Sequence, residues 1–530
     1  MLHEGKGVVR DESALLLDRL MVGRARRRGA LEVAIGQHLA ALRIGDRSMR
    51  LGYASVGDYA REVLGIAART ALKMERLARE LQLRPHLREA VRTGEVTARK
   101  AEVVLPVARG EMERVWVEMA RRDTVRALEA AVETATSSRP LEDEPWDLLS
   151  IHVPEEGRSE VERALEVAGK LLGPGAPKWQ RFEALCEEFY GAYGGCDEDG
   201  GRDRVLRWPL TVNKWLEPLK ELVEKETSQW AHLGPAGVVA APAMEEETDP
   251  HKLDAGLRRL AAERRHWDEE FGHVAAIFRG LGLWRDAKFA SFGHYCSERL
   301  GMSVRAVEQR IALQRRLWVL PKLRRAMREG RITYEKARLV AWQATDLDEA
   351  EWIERVREKS CIALRRELEA ARGAQMWARG YLEIRMPRST ADLFAASYRA
   401  ARELIGEGLT PGECLVWMAQ HFTRTWEEAA KRKRKTVSRE IRERDLGYCQ
   451  VWGCSRRAVH GHHIIRRAQG GSDALWNQIA LCAAHHLIGV HKRFIRVSGK
   501  APDELIWEGI VRPGPPPEAP GSEGVPQAPS

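Results

Sequence analysis

Apolar residues recur at intervals of three and four through most of the first 430 positions, on a background rich in Ala, Leu, Arg and Glu. That period predicts a mainly helical chain. Along 304–318, Val304, Val307, Ile311 and Trp318 form one stripe, interrupted by Gln314 and Arg315. Thr97 and Thr333 each follow a Gly by three residues and precede a helical pattern, as an N-cap does. The period changes to alternation in "YLEIRMP" at 381–387, which predicts a short strand before another helix. "LLSIHVP" at 148–154 has the same character.

These patterns occur twice. "ASVGDYAREVLG" at 54–65 returns as "ASFGHYCSERLG" at 290–301, a shift of 236 residues. The shift holds from Leu81 and Leu317 through Pro85 and Pro321, Gly94 and Gly330, Lys100 and Lys336, to Trp116 and Trp352. So long a period means duplicated domains rather than a solenoid. The expected organisation is a helical copy at 12–195, a linker region at 196–253, a second copy at 254–430, a small domain at 431–511 and a Pro-rich tail at 512–530. The linker run "HLGPAGVVAAPAMEEETDP" is poor in periodic pattern, and the tail "PGPPPEAPGSEGVPQAPS" is expected to be disordered.

Each copy also holds a helix, a Gly and a second helix. In the second copy this segment, 294–311, predicts a helix-turn-helix with Ser303 as N-cap and Arg305, Gln309 and Arg310 facing a major groove. The first copy has Ala67 at the cap and bulky Arg61 before the turn, which fits that role less well. The plain alternative is a scaffold, where helical pairs with Gly turns are common.

Charge adds a partner class. Lys plus Arg exceed Asp plus Glu by 86 to 77, for a net +9, a modest excess for 530 residues. Its placement says more. Residues 431–435 read KRKRK, followed by Arg439, Arg442 and Arg444. Such a run is often a solvated face or a localisation tract. Beside a phosphodiester site it is better read as a phosphate-binding arm, with Lys433, Arg434, Lys435, Arg439 and Arg442 as its contacts. No run of 18 apolar residues is present, so no membrane span is expected. Without a signal peptide, a reducing, cytoplasmic location is expected.

The candidate chemistry is concentrated near the C-terminus. Three of the eight cysteines and six of the sixteen histidines fall within residues 449–491. Cys449 and Cys454, then Cys482 and His485, are two close pairs separated by 27 residues. Three thiolates and an imidazole make a closed tetrahedral set of the kind that holds structural zinc. A segment this short buries little surface and needs a staple. The other cysteines, Cys186, Cys196, Cys296, Cys361 and Cys414, show no metal spacing and are expected to be buried small hydrophobes.

The remaining residues, His462, His463, Gly470, Gly471, Asn477 and His486, stand in "GHHIIRRAQGGSDALWNQIALCAAHHLIGVH", preceded by "RERDLGYCQVWGC". This text resembles the HNH endonuclease family, over Val437 to Trp507. The resemblance implies a ββα-metal fold, with His462 and His486 holding a catalytic divalent metal (Mg2+, Mn2+, Ni2+ or Zn2+). It implies His463 as general base and Asn477 as the group that orients it. Family members place a third His four residues beyond the helix ligand. Here His491 lies five beyond His486, off that face of an ideal α-helix, which leaves it between ligand, phosphate contact and surface residue. Gly470-Gly471 is expected to turn the chain between the hairpin strands. His460 reads as an ordinary strand residue.

The expected fold class is therefore mainly α, with two tandem duplicated helical domains followed by a small α+β HNH domain. The expected function is hydrolysis of DNA, double-stranded, at its phosphodiester bonds. The alternative is a zinc-stapled DNA-binding or scaffold protein that does not cut.

Overall fold

The computed structural model describes residues 4–136, 146–173, 176–193, 247–406, 408–432 and 437–514. Among these the chain is mainly helical, with three two-stranded antiparallel sheets. Lys433, Arg434, Lys435, Cys196, most of the expected linker region and most of the Pro-rich tail lie outside the described residues. No described helix is long and apolar enough to cross a membrane.

The compact units do not follow the expected copy boundaries. One unit takes its residues from 1–139, 207–361 and 511–530, and the other from 140–206 and 362–510. Each copy thus contributes helices to the first unit and a strand with two helices to the second. The physical reason lies in the strands. Alone, β1 (Trp146–His152) and β2 (Tyr381–Pro387) would each leave rows of unpaired N–H and C=O groups. They pair with each other instead, Trp146 opposite Pro387 and His152 opposite Tyr381. Leu382, Ile384 and Met386 of β2 then face one core with Phe182, Phe394, Leu415 and Met418 from the surrounding helices.

In the first unit, two long helices, Glu4–Arg43 and Pro250–Gly280, pack together. Shorter helices follow each at the shift read from the sequence. Ala68–Gln82 answers to Val304–Trp318, Pro85–Arg92 to Pro321–Arg328, and Ala98–Val104 to Tyr334–Val340. Buried hydrogen bonds obey the same shift. Tyr59 Oη donates to Asp254 at 2.8 Å, and Tyr295 Oη to Asp18 at 3.0 Å. Glu62 accepts from the Cys361 N–H and Glu298 from the Val125 N–H. Glu113 accepts from the Leu87 N–H and Glu349 from the Leu323 N–H.

Two local expectations change. Thr97 caps its helix through its side chain, with the Lys100 N–H donating to Oγ1. Thr333 has the extended backbone of a cap without that bond, and its Oγ1 is buried. In the expected helix-turn-helix, Ser303 does cap the second helix, and Arg305 and Gln309 are exposed. Arg310 is not available to a groove. It is 8% exposed and its Nε donates to Asp268 at 2.7 Å. Asp268 is also approached by Arg264 at 3.5 Å and Arg28 at 3.7 Å, and three guanidiniums hold its carboxyl far below the usual range despite burial. The apolar stripe is displaced too: Val304 and Trp318 are exposed, whereas polar Gln314 is buried. Four cysteines outside the C-terminal cluster, Cys186, Cys296, Cys361 and Cys414, are buried and unbridged, as expected.

Candidate metal centre

Residues 437–510 of the second unit build the site. Helix Val437–Arg444 is followed by β3 (His460–His463), β4 (Gln478–Leu481), a π-helical stretch Ala484–Val490, and a hairpin of β5 (Arg496–Lys500) and β6 (Glu504–Glu508). Apolar packing is scant: Ile441, Ala458 and Ala480 form one small cluster. Polar groups tie the pieces together. Asp445, 4% exposed, accepts from the Ala480 N–H at 2.8 Å and from Arg444 at 2.7 Å. Arg444 also donates to the Leu475 and Gln478 carbonyls, so its guanidinium holds β4 rather than reaching outward.

Cys449, Cys454, Cys482 and His485 converge as the spacing predicts. Their ligand atoms all lie within 4.8 Å of one another, and each residue is 4% exposed or less. His485 Nδ1 is 3.4 Å from Cys449 Sγ and 3.5 Å from Cys482 Sγ. A tetrahedron with bonds of ~2.3 Å has edges of roughly 3.8 Å, so the donors fit one ion. Their chemistry agrees. Burial pushes the Cys449 thiol up to about 12, while hydrogen bonds from Cys449 and Cys454 push Cys482 down. Thiols crowded in this way lack a solvent to ionise into, and a cation supplies the missing charge. This buried Cys3His cluster can hold a structural metal ion.

A second cluster stands beside it in the chain. His462, His486 and His491 bring their ring nitrogens within 4.8 Å of one another. The interval of five that displaced His491 on an ideal α-helix is absorbed by the π-helical turn. There the His491 N–H donates to the His486 carbonyl at 3.2 Å, an i to i+5 bond that returns residue i+5 to the same face. His486 Nε2 and His491 Nε2 are 3.3 Å apart. Burial, then the nearby His486 and His491, pushes His462 down to about 4. His486 is lowered by burial and by His491 and His460. Both are therefore neutral at pH 7, the form that offers a lone pair to a cation. His460 is more than a strand residue, since its ring centroid lies 4.9 Å from that of His486.

His463 follows His462 on β3 and, by strand alternation, leaves the cluster. Its Nε2 meets Asp473 Oδ1 at 2.8 Å, and Arg467 Nε donates to the same oxygen at 2.7 Å. The hydrogen bonds from His463 and Arg467 hold the Asp473 carboxyl below its usual range. Asn477, the expected orienter, makes no such contact. Fully buried, it accepts from the Ile465 N–H at 2.8 Å and donates to the Ile465 and Ser472 carbonyls at 3.0 and 2.8 Å. Its side chain clamps the long loop between β3 and β4, and that loop presents Asp473. The glycines serve this loop rather than a two-residue turn. Gly470 sits at φ +82°, and a Cβ on Gly471 would fall 1.8 Å from the Ile465 carbonyl oxygen. Asp473 was the residue sequence reasoning missed. Its signal was available, because it is the single acidic residue between His463 and Asn477.

Of the expected phosphate contacts, Arg439 is 12% exposed at its side chain and pairs with Glu443 at 2.8 Å. Arg442 lies on the same helix, in its last turn. A scan against protein-family models, a search of curated proteins and a search of solved structures each found no match to this chain.

Proposed function

We propose that the chain is a metal-dependent DNA endonuclease whose 437–510 module is of the HNH type, stapled by zinc at Cys449, Cys454, Cys482 and His485. One observation carries the reading: the His462–His486–His491 cluster lies next in the chain to a histidine whose ring is held by a carboxylate. A closed Cys3His site has no use for either.

Three neutral imidazoles would hold a divalent metal and leave positions open to phosphate oxygens. When bound, that metal supplies the positive charge a cleaving phosphodiester needs. The chain's own groups do the proton work. With Nε2–H donating to Asp473, His463 Nδ1 carries the lone pair and can take a proton from an attacking water. Asn477 acts one step back, by fixing the loop that carries Asp473. Plasmid cleavage with Mg2+, Mn2+, Ni2+ or EDTA tests this reading. Metal-dependent nicking or linearisation is the expected result; no cleavage with any metal would favour a non-cleaving DNA-binding protein.

The first unit we read as a duplication, because helix boundaries and buried hydrogen bonds recur at one sequence shift. Grip on DNA we assign in part to the basic run. Replacing Lys431, Arg432, Lys433, Arg434 and Lys435 with Ala is expected to weaken binding about equally on all sequences. The slope of log affinity against log salt should become shallower by about 0.9 for each duplex phosphate that the run no longer neutralises. An unchanged slope would make the run a linker.

A further inference from the structure

The first unit holds a cavity of about 730 Å³ bounded by helices Pro250–Gly280, Val304–Trp318 and Pro321–Arg328. That volume suits a small-molecule ligand. Gln314, the polar residue that broke the apolar stripe, lines it. Gln314 is 3% exposed, and its Nε2 has no hydrogen-bond partner among the described residues. A buried amide donor without an acceptor is costly, and native folds rarely keep one unless something else supplies the acceptor.

The charge in the cavity asks for an anion. Arg324 and Arg328 both donate to Glu269, so two guanidiniums share one carboxylate. Arg265, on the same wall, has no carboxylate partner among the described residues, and burial lowers its pKa. Above them, Trp318 is 45% exposed and stacks on His273 with centroids 5.5 Å apart. The Arg324 guanidinium lies 5.9 Å from the Trp318 ring. A smaller recess lined by Trp318, Arg324 and Arg328 adjoins the main cavity through those two arginines.

The fold does not require this arrangement. At the positions 236 residues earlier, Arg265, His266, Glu269, Glu270 and Gln314 are replaced by Gly29, Ala30, Val33, Ala34 and Ala78. There Ala30, Val33, Ala34 and Ala78 are all buried. The helix crossing is tighter as well. A Cβ on Gly36 would fall 2.2 Å from the Met74 carbonyl oxygen, against 3.2 Å from Gly272 to that of Arg310. One crossing is closed and apolar; its counterpart is open, polar and cationic.

We propose that this cavity binds a nucleotide, free or at the end of a strand. Its phosphate would sit among Arg265, Arg324, Arg328 and the Gln314 amide, and its base on Trp318. Arginine suits phosphate through its planar donor fork, and an indole ring accepts any base by stacking. Glu270, on the same wall, is an acceptor for ribose hydroxyls. The proposal does not depend on the nuclease reading, because its test measures binding, without added divalent metal.

Calorimetric titration of the full chain with AMP, dAMP, inorganic phosphate and a 5′-phosphorylated oligothymidylate decides it. One saturable site per chain is expected for the nucleotides, with phosphate alone weaker. Trp318→Ala should weaken nucleotides by about tenfold or more, the usual share of base stacking, and leave phosphate unaffected. Gln314→Ala, which restores the residue of the closed crossing, should weaken both ligands and leave the thermal midpoint unchanged or raised. Preference for the oligonucleotide that Trp318→Ala abolishes assigns a strand end; equal binding of mononucleotides assigns a free ligand. Nucleotides that bind no tighter than phosphate, or that bind undiminished to Gln314→Ala and Trp318→Ala, overturn the proposal.

Discussion

Removing the metal from Cys449, Cys454, Cys482 and His485 is expected to unfold residues 446–510 while the helices before them persist. The module's apolar packing is too small to hold it, with one cluster of three buried residues. Structural zinc in small domains contributes apparent free energies of about 10–16 kcal/mol at pH 7, comparable to the whole stability of an ordinary domain. The four ligands also come from both ends of the module, so losing the ion frees the loop at 449–454 from the end of β4. Cys482→Ser should act like the chelator, because it removes one ligand and leaves three buried donors without charge compensation. Hydrogen exchange resolved by peptide is the measurement. Protection in β3 and β4 should vanish with chelator and return with about one zinc per chain. Protection that survives complete metal removal would mean the cluster is only a small polar core.

His463→Ala is expected to lower the cleavage rate by roughly 10²–10⁴, the usual contribution of general acid–base catalysis, with DNA affinity and metal content unchanged. Its position makes this separation clean. His463 points away from the His462–His486–His491 cluster, and its side chain hydrogen-bonds to exposed Asp473. His462→Ala and His486→Ala should also lose activity, but together with bound metal, since their rings face each other at 5.2 Å. Asp473→Asn should fall between, because it keeps the size of the side chain while weakening the preference for the Nδ1 lone pair. Near-normal cleavage by His463→Ala, in protein that still binds metal, would move the base to another residue.

Much of the centre was legible because its signals are local. The Cys449–Cys454 and Cys482–His485 pairs each sit within one turn of chain, and two close pairs leave few ways to fold except around an ion. His462, His463 and His486 were legible for a similar reason, through strand alternation and helix position. Helix boundaries in the first unit were also written in the chain, by Ser55, Ser291 and Ser303 as caps and by Pro85 and Pro321 at first turns.

Other features depend on partners distant in sequence or on a departure from ideal geometry. His491 joined the cluster because seven residues wound as a π-helix, and a count made on 3.6 residues per turn cannot show that. Arg310 had the polarity and spacing of a groove-reading residue, yet Asp268 on another helix drew it into the core. Asn477 had the composition of an orienter and spends its hydrogen bonds on loop backbone.

The sequence by itself determined a mainly helical chain with two matching halves, a Cys3His cluster and a histidine-rich module after it. These rest on periodicity, caps and short spacings, which act within a few residues. Tertiary structure decided that β1 and β2 satisfy each other's backbone across the copies, so that the compact units cut through the repeat. It also decided that Asp473 holds His463 and that Gln314 faces a cavity rather than solvent. Those outcomes follow from which hydrogen-bonding groups lose water on folding and where the nearest partner then lies, and residues far apart in the chain supply that partner.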